Sequence, residues 1–150
     1  MPSTEPQKDR SRRQRRPPDL PVIFFTDRSL GRVLVPGAIR ALGYTVFTIW
    51  DVFPQEHDDR SISDEQWLWH SARRAWVCLS YDKLRKPRSV PRGLAASGAK
   101  VFRFESALKT APQQVAAFKV NQYRIKKWAE KRGPYRRVIR RNGTESDGIP

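Results

Sequence analysis

The sequence has one cysteine, half as many acidic as basic residues, and no long hydrophobic run. Cys78 has no partner for an internal disulfide, and it lies in an apolar run that favours a small buried side chain over a nucleophile or zinc ligand. No apolar segment approaches the roughly 20 residues of a membrane-spanning helix. The basic N-terminus is followed by a short apolar stretch without a signal-cleavage pattern. We therefore expect a cytoplasmic protein with no membrane association.

The charge balance is strongly basic. Lys and Arg number 30 against 15 Asp and Glu, which gives a formal net charge of +15 at pH 7. This excess favours a polyanionic partner, and nucleic acid is the first expectation. Since 38% of the 150 residues are hydrophobic, the chain has enough apolar surface for the core of one domain.

The composition changes at both ends of the chain. Residues 1–19 combine arginines and prolines with almost no apolar side chains, which predicts a disordered basic arm. Residues 139–150 mix charges with glycines and predict a loose tail. The folded domain is expected over residues 20–138, with a basic helix at its C-terminal end.

Short apolar segments alternate with helical patterns between these ends. Capping boxes beginning at Ser63 and Thr110 predict two helix starts, and a further helix is expected over residues 31–42. Residues 51–60 are polar and predict a loop. The alternation indicates right-handed crossovers and a largely parallel sheet between helical layers, an α/β fold. The expected strands are residues 22–26, 44–49, 75–80 and 100–104.

The predicted alternation places three aspartates at one edge of the sheet. Asp27 follows the first strand, Asp82 follows the third, and Asp64 begins the helix that leads into the third. Carboxylates gathered in this way repel one another unless a cation intervenes, and oxygen ligands suit Mg²⁺ or Mn²⁺. Taken singly, each aspartate also fits a structural role at a strand end, a helix start or a turn.

The same residues carry a family resemblance. The segments 24–31 (FFTDRSLG), 35–43 and 77–83 (VCLSYDK), with Asp64 to Leu68 between them, resemble the PIN-like domains of VapC-type toxins over about residues 21–130. The resemblance implies a three-layer α/β/α sandwich with a mostly parallel sheet. It also implies a Mg²⁺- or Mn²⁺-dependent endoribonuclease with an RNA substrate, a cognate antitoxin and, commonly, a homodimer.

The resemblance also assigns the acidic residues. By position Asp27, Asp64 and Asp82 match the acids of the family, as catalytic residues and metal ligands. Larger PIN domains have a further acid before the position of Asp64, where this chain has only loop candidates, so one metal ion is the expected number. The loop candidates are Asp51, Glu56, Asp58 and Asp59.

Other charged residues are assigned from their place in the chain. Glu65 is a secondary catalytic candidate, and its alternative role is that of a solvated glutamate in the first turn of a helix. Cations beside Asp27 and Asp82 are expected to meet the substrate phosphates, and those of the C-terminal helix to bind the RNA backbone. A solvated basic face is the alternative. The nucleic-acid-binding candidates are Arg28, Lys83, Arg85, Lys126, Lys127, Arg136 and Arg137.

Two alternatives to the nuclease remain open at this point. A nucleic-acid-binding module without catalysis, acting on RNA, a ribosome or DNA, has the same composition and charge. The second alternative is a degenerate PIN-like fold that is retained for partner binding. The missing further acid supports this alternative.

Overall fold

The computed structural model describes residues 21–54, 62–84 and 89–148, which are built around a sheet of six strands. The strands are β1 (Ile23–Thr26), β2 (Thr45–Thr48), β3 (Val77–Ser80), β4 (Lys100–Phe104), β5 (Tyr135–Ile139) and β6 (Thr144–Ser146). The helices are α1 (Leu34–Ala41), α2 (Ile49–Val52), α3 (Asp64–Arg73), α4 (Ser89–Ser97) and α5 (Ala111–Ala129), and a 3₁₀ turn covers Arg28–Leu30. The strand order is β2-β1-β3-β4-β5-β6. All neighbouring pairs are parallel except β5 and β6.

Each face of the sheet carries its own hydrophobic core because successive strand side chains point to opposite faces. Phe24 belongs to the core beneath α1 and α5, where its ring meets that of Phe118 edge to face at 5.5 Å. Phe25 belongs to the core beneath α2, α3 and α4, where it stacks on Trp67 at 5.3 Å. Helices on both faces of a mostly parallel sheet confirm the three-layer α/β/α prediction.

The two capping boxes open helices where the sequence predicts them. Ser63 Oγ accepts a bond of 3.2 Å from the Gln66 amide, and the Gln66 side chain accepts one of 2.7 Å from the Ser63 amide. Thr110 and Gln113 form the equivalent pair at the start of α5. These bonds satisfy amide donors that the helix itself leaves without partners.

The region after β2 differs from the prediction. The second strand was expected to extend to residue 49, but β2 ends at Thr48, which caps α2. Thr48 Oγ1 accepts a bond from the Asp51 amide at 3.1 Å, and Asp51 accepts one from the Thr48 amide at 2.9 Å. Asp51 therefore lies in a helix rather than in the predicted loop. Residues 55–60 of that loop, and the predicted N-terminal arm, lie outside the described residues.

The C-terminal region differs more strongly. The predicted basic helix ends at Ala129, and β5 follows it. The tail expected to be loose contains β6, which pairs with β5 through Val138 and Glu145. The turn between them has Gly143 at φ 115°, a conformation that glycine adopts without steric cost. Here Asn-Gly is a hairpin signal rather than a sign of disorder.

Helix α5 carries the chain from the carboxyl edge of β4 to the amino edge of β5. Its last turn is fixed at the amino edge, where Tyr135 Oη donates to the Trp128 carbonyl at 2.9 Å. Lys100 Nζ donates to the Ala129 carbonyl, also at 2.9 Å. At 19 residues, α5 is about 28 Å long. Within the described part of the chain, no helix is long and apolar enough to cross a bilayer.

Candidate active site

Asp27, Asp64 and Asp82 lie together at the carboxyl edge of the sheet. Asp27 directly follows β1, Asp82 follows β3 by two residues, and the two strands are parallel neighbours. Asp64 is the first residue of α3. The charges of Asp64 and Asp82 both act on Asp27. The fold thus brings together the three aspartates that the sequence singles out, and their chemical role remains a prediction.

Asp27 is the buried centre of this group, with 2% of its surface exposed. Its Oδ1 accepts bonds from the Ser29 amide at 3.1 Å and the Ser29 hydroxyl at 2.5 Å, and its Oδ2 accepts one from Ser80 Oγ at 2.7 Å. Burial raises the pKa of Asp27 to about 7 against the opposing effect of these bonds, and the neighbouring Asp64 and Asp82 raise it further. The carboxyl group is therefore poised to exchange a proton near neutral pH.

Ser29 links the loop after β1 to the loop after β3. Its hydroxyl donates to Asp27 and accepts bonds from the Tyr81 amide at 2.8 Å and the Asp82 amide at 3.3 Å. Sequence reasoning assigned Ser29 no role, although it stands in the FFTDRSLG segment. The spacing Asp-Arg-Ser was the available signal, because an aspartate commonly accepts from the amide two residues later.

The loop that carries Asp82 is held from both sides. Asp82 Oδ1 accepts a bond of 2.9 Å from the amide of Leu84, whose φ of 55° is left-handed. Arg136 of β5 donates to the Leu84 carbonyl at 3.3 Å. The C-terminal hairpin thereby contacts the loop at the carboxyl edge.

Arg136 is a structural residue, which corrects its assignment to RNA binding. It is 5% exposed, and its guanidinium forms an ion pair of 3.1 Å with Asp147. It also donates to the backbone carbonyls of Asp147 and Gly148. A buried guanidinium engaged in this way does not reach a phosphate in solvent.

Asp64 is held at the start of α3 by its neighbours. Trp67 Nε1 donates to Asp64 Oδ1 at 3.0 Å, and Arg28 Nη1 lies 3.8 Å from the same oxygen. Burial raises the pKa of Asp64, opposed by the Trp67 bond and the Arg28 charge. Arg28 also donates to the Ile62 carbonyl, so it joins the turn after β1 to the start of α3.

Glu65 extends over α4. A Cβ added at Gly93 of α4 would lie 3.2 Å from Glu65 Cγ, so this side chain rests on the helix backbone. Its charge acts on Asp64. Lys83 is exposed next to Asp82, and Arg85 lies outside the described residues.

The fourth acid remains missing from the described chain. Asp51 caps α2 and forms an ion pair of 2.8 Å with Arg40, so its carboxylate is engaged elsewhere. Residues 56, 58 and 59, the other acidic candidates, lie outside the described residues.

The chemistry of the three aspartates fits a hard divalent cation. Both charges that act on Asp27 are negative, and a cation would relieve their repulsion. Neither Asp64 nor Asp82 has a hydrogen-bond partner for Oδ2 among the described residues. Within residues 21–54, 62–84 and 89–148, however, no three Asp, Glu, His or Cys side chains are grouped as a ready-made metal centre. Binding would therefore have to draw the carboxylates closer together.

The remaining predicted RNA contacts lie far from the aspartates. Lys126 and Lys127 are exposed in the last turn of α5, at the amino edge. Arg137 donates to Thr144 and lies 4.0 Å from the ring centre of Trp128. The fold thus separates these cations from the site at the carboxyl edge.

Comparison with known proteins agrees with this geometry. The family model described as "PIN like domain" matches residues 22–106, which include all three aspartates. The putative ribonuclease VapC45 of Mycobacterium tuberculosis is 30% identical over 113 residues, which cover 75% of this chain and 81% of that protein. No solved structure matches significantly. The resemblance seen in the sequence is confirmed, and the chain belongs to the PIN-like domain family as a domain of the VapC type.

Proposed function

We propose that this protein is a metal-dependent endoribonuclease, the toxin of a toxin–antitoxin pair, which hydrolyses RNA phosphodiester bonds with water. The observation that carries the proposal is the meeting of Asp27, Asp64 and Asp82 at one sheet edge, with the pKa of Asp27 raised to about 7. Strongly shifted carboxyl groups at such edges are typical of functional sites. The name of the mycobacterial relative supports ribonuclease chemistry.

Asp27, Asp64 and Asp82 would hold Mg²⁺ or Mn²⁺. When bound, such an ion polarises a phosphate oxygen and lowers the pKa of a coordinated water. Three carboxylates suit one ion better than two, since Asp51 is engaged with Thr48 and Arg40.

The chain's own residues position the reacting groups. Ser29 and Ser80 hold the Asp27 carboxylate by three hydrogen bonds, which fixes its orientation. The Leu84 amide does the same for Asp82. Lys83, exposed beside Asp82, would offset the charge of the substrate phosphate. Glu65 is proposed as a supporting acid that acts through its charge on Asp64.

The proposed partners follow from the same family membership. They are an RNA substrate and a cognate antitoxin in the cytoplasm, with a homodimer as the proposed assembly. The comparisons favour the nuclease over a non-catalytic nucleic-acid-binding module, because both matches fall in one nuclease-related family.

The test is cleavage of a total RNA pool by the purified full chain with Mg²⁺ or Mn²⁺, and with EDTA. Asp27→Asn and Asp82→Asn should each abolish metal-dependent cutting, since each removes a charged ligand. Asp51→Asn is the matched control. Asp51 also follows a strand at the same edge of the sheet, but its carboxylate is bonded to Thr48 and Arg40. This variant should cut like the parent protein.

Cutting that survives both site substitutions would identify a contaminating ribonuclease and contradict the assignment. RNA left intact at every metal concentration, with binding retained, would instead support the binding module.

A further inference from the structure

A basic surface covers the end of α5 and the adjoining strand, at the amino edge of the sheet. It lies outside residues 22–106, the part of the chain that matches the family model. Glu130 is an exposed acid within it. We call the following set the amino-edge surface: Tyr123, Lys126, Lys127, Trp128, Lys131, Arg132 and Arg137.

Trp128 contacts two of these cations through its ring. Lys131 Nζ lies 4.3 Å from the centre of its ring, and the guanidinium carbon of Arg137 lies 4.0 Å from it. Thr144 fixes Arg137 further, because its hydroxyl and carbonyl oxygens both accept bonds from the guanidinium. Each cation is ordered against the ring, so it loses less side-chain freedom when it binds an anion such as a phosphate.

Tyr123 adds an exposed aromatic face to this surface. Its side chain is 69% exposed, so the ring is accessible from solvent. Lys127 Nζ lies 5.5 Å from the centre of its ring. Exposed aromatic rings among cations are the arrangement on which unpaired RNA bases stack while the backbone is bound electrostatically.

The length of α5 separates this surface from the aspartates. The helix begins after β4 near the carboxyl edge, since Tyr81 Oη donates to the carbonyl of Ser106, just before it. Lys126 and Lys127 lie 15 and 16 residues after the first residue of the helix, roughly 22–24 Å along its axis. Cations at that distance cannot contact the bond that is cut, so they would bind another part of the same molecule.

We propose that the amino-edge surface is a second RNA-binding site, which holds phosphates and an unpaired base far from the scissile bond. The substrate is then an RNA long enough to reach both edges of the sheet. This inference rests on the proposed nuclease function for its effect on cleavage, but binding to the surface is independent of catalysis.

The test compares two RNAs that share one cleavage sequence. A tetranucleotide has only three phosphodiester linkages and is too short to bind at both edges of the sheet, whereas a hairpin of about 30 nucleotides can do so. The variant is the double reversal Lys126→Glu/Lys127→Glu. The control is Arg73→Glu/Arg74→Glu, which makes the same change in net charge with exposed residues at the end of α3, on the opposite face of the sheet.

We expect the Lys126/Lys127 variant to raise KM for the hairpin roughly tenfold and to leave kcat and the tetranucleotide unaffected. For this variant, the slope of log K for hairpin binding against log salt concentration should be smaller in magnitude by about two. One unit is expected for each lost phosphate contact. The control should change neither quantity. Tyr123→Ala should weaken hairpin binding without changing the salt slope, because stacking releases no counterions.

Equal losses on both RNAs, or equal losses in the control, would show a general charge effect and overturn the proposal. Unchanged hairpin binding with lost binding of poly-glutamate would assign the surface to an acidic protein instead. If the protein cuts neither RNA, hairpin binding by the full chain still decides this inference, while the proposed nuclease function fails separately.

Discussion

Replacing Asp27 with asparagine should make the metal-free protein more stable at pH 8 while abolishing the proposed cleavage. The asparagine side chain keeps the shape of the aspartate and can still bond with Ser29 and Ser80, but it carries no charge. In the parent protein the buried carboxylate ionises against desolvation and against the charges of Asp64 and Asp82. The substitution removes that cost together with the ligand.

The size of the effect follows from the pKa of Asp27, which folding raises from 3.8 to about 7. The folded state therefore retains a proton that the unfolded chain has lost. Stability is fully present below pH 4 and falls as pH rises towards 7. At ~1.4 kcal/mol per pKa unit, the loss at pH 8 reaches about 4 kcal/mol, of which about 3 kcal/mol develops between pH 5 and pH 8.

Urea unfolding at pH 5 and pH 8, in EDTA, measures this difference. The parent protein should lose about 3 kcal/mol more than Asp27→Asn between the two values. Asp64 contributes a loss of the same sign, but it is present in both proteins and cancels. Adding Mg²⁺ at pH 8 should restore stability to the parent protein only, because a bound ion stabilises the folded state.

Asp51→Asn is a control with the opposite sign. Burial raises the pKa of Asp51, but the bonds from Thr48 and the charge of Arg40 outweigh it, so the net pKa is lowered. Its ionised form therefore stabilises the fold above pH 4, and asparagine should reduce stability at both pH values. Parallel pH curves for the parent protein and Asp27→Asn would refute the reasoning.

Four further predictions concern stability and the supports of the site. Gly37→Ala should stabilise the fold by about 0.5–1 kcal/mol, since no atom lies within 4 Å of the added Cβ in α1. Gly133→Ala should unfold at a lower urea concentration than the parent protein, because its Cβ would lie 2.1 Å from a backbone oxygen. Ser29→Ala should cost about 1–3 kcal/mol and reduce kcat in the RNA assay, because the hydroxyl joins two loops of the site. Arg136→Met should cost about 1–3 kcal/mol in urea unfolding, since three backbone carbonyls lose a buried donor while Arg103 still pairs with Asp147. Variants that unfold like the parent protein would contradict each estimate.

Local patterns in the sequence predicted β1 to β4 and the helices α1, α3 and α5 correctly. The capping boxes at Ser63 and Thr110 depend only on residues three positions apart, so they can be recognised without tertiary structure. The same holds for the aspartates after β1 and β3, because parallel strands bring their carboxyl ends to one edge.

Helix α4 shows why local reasoning failed elsewhere. It contains Pro91 and Gly93, two residues that usually argue against a helix. Pro91 is tolerated in the first turn. At Gly93 the missing side chain leaves room for Glu65 of α3, since a Cβ there would lie 3.2 Å from Glu65 Cγ.

Short segments of the sequence suffice to predict the α/β alternation, the helix starts and the edge at which the three aspartates lie, because these depend on local hydrogen bonds and periodicity. The burial of Arg136 and the separation of the amino-edge surface from the site depend on three-dimensional contacts. In the sequence, Arg136 looks like any other basic residue. In the structure it is bonded to Leu84, 52 positions away, and paired with Asp147. Such contacts form between segments that the sequence places far apart, so no local pattern records them.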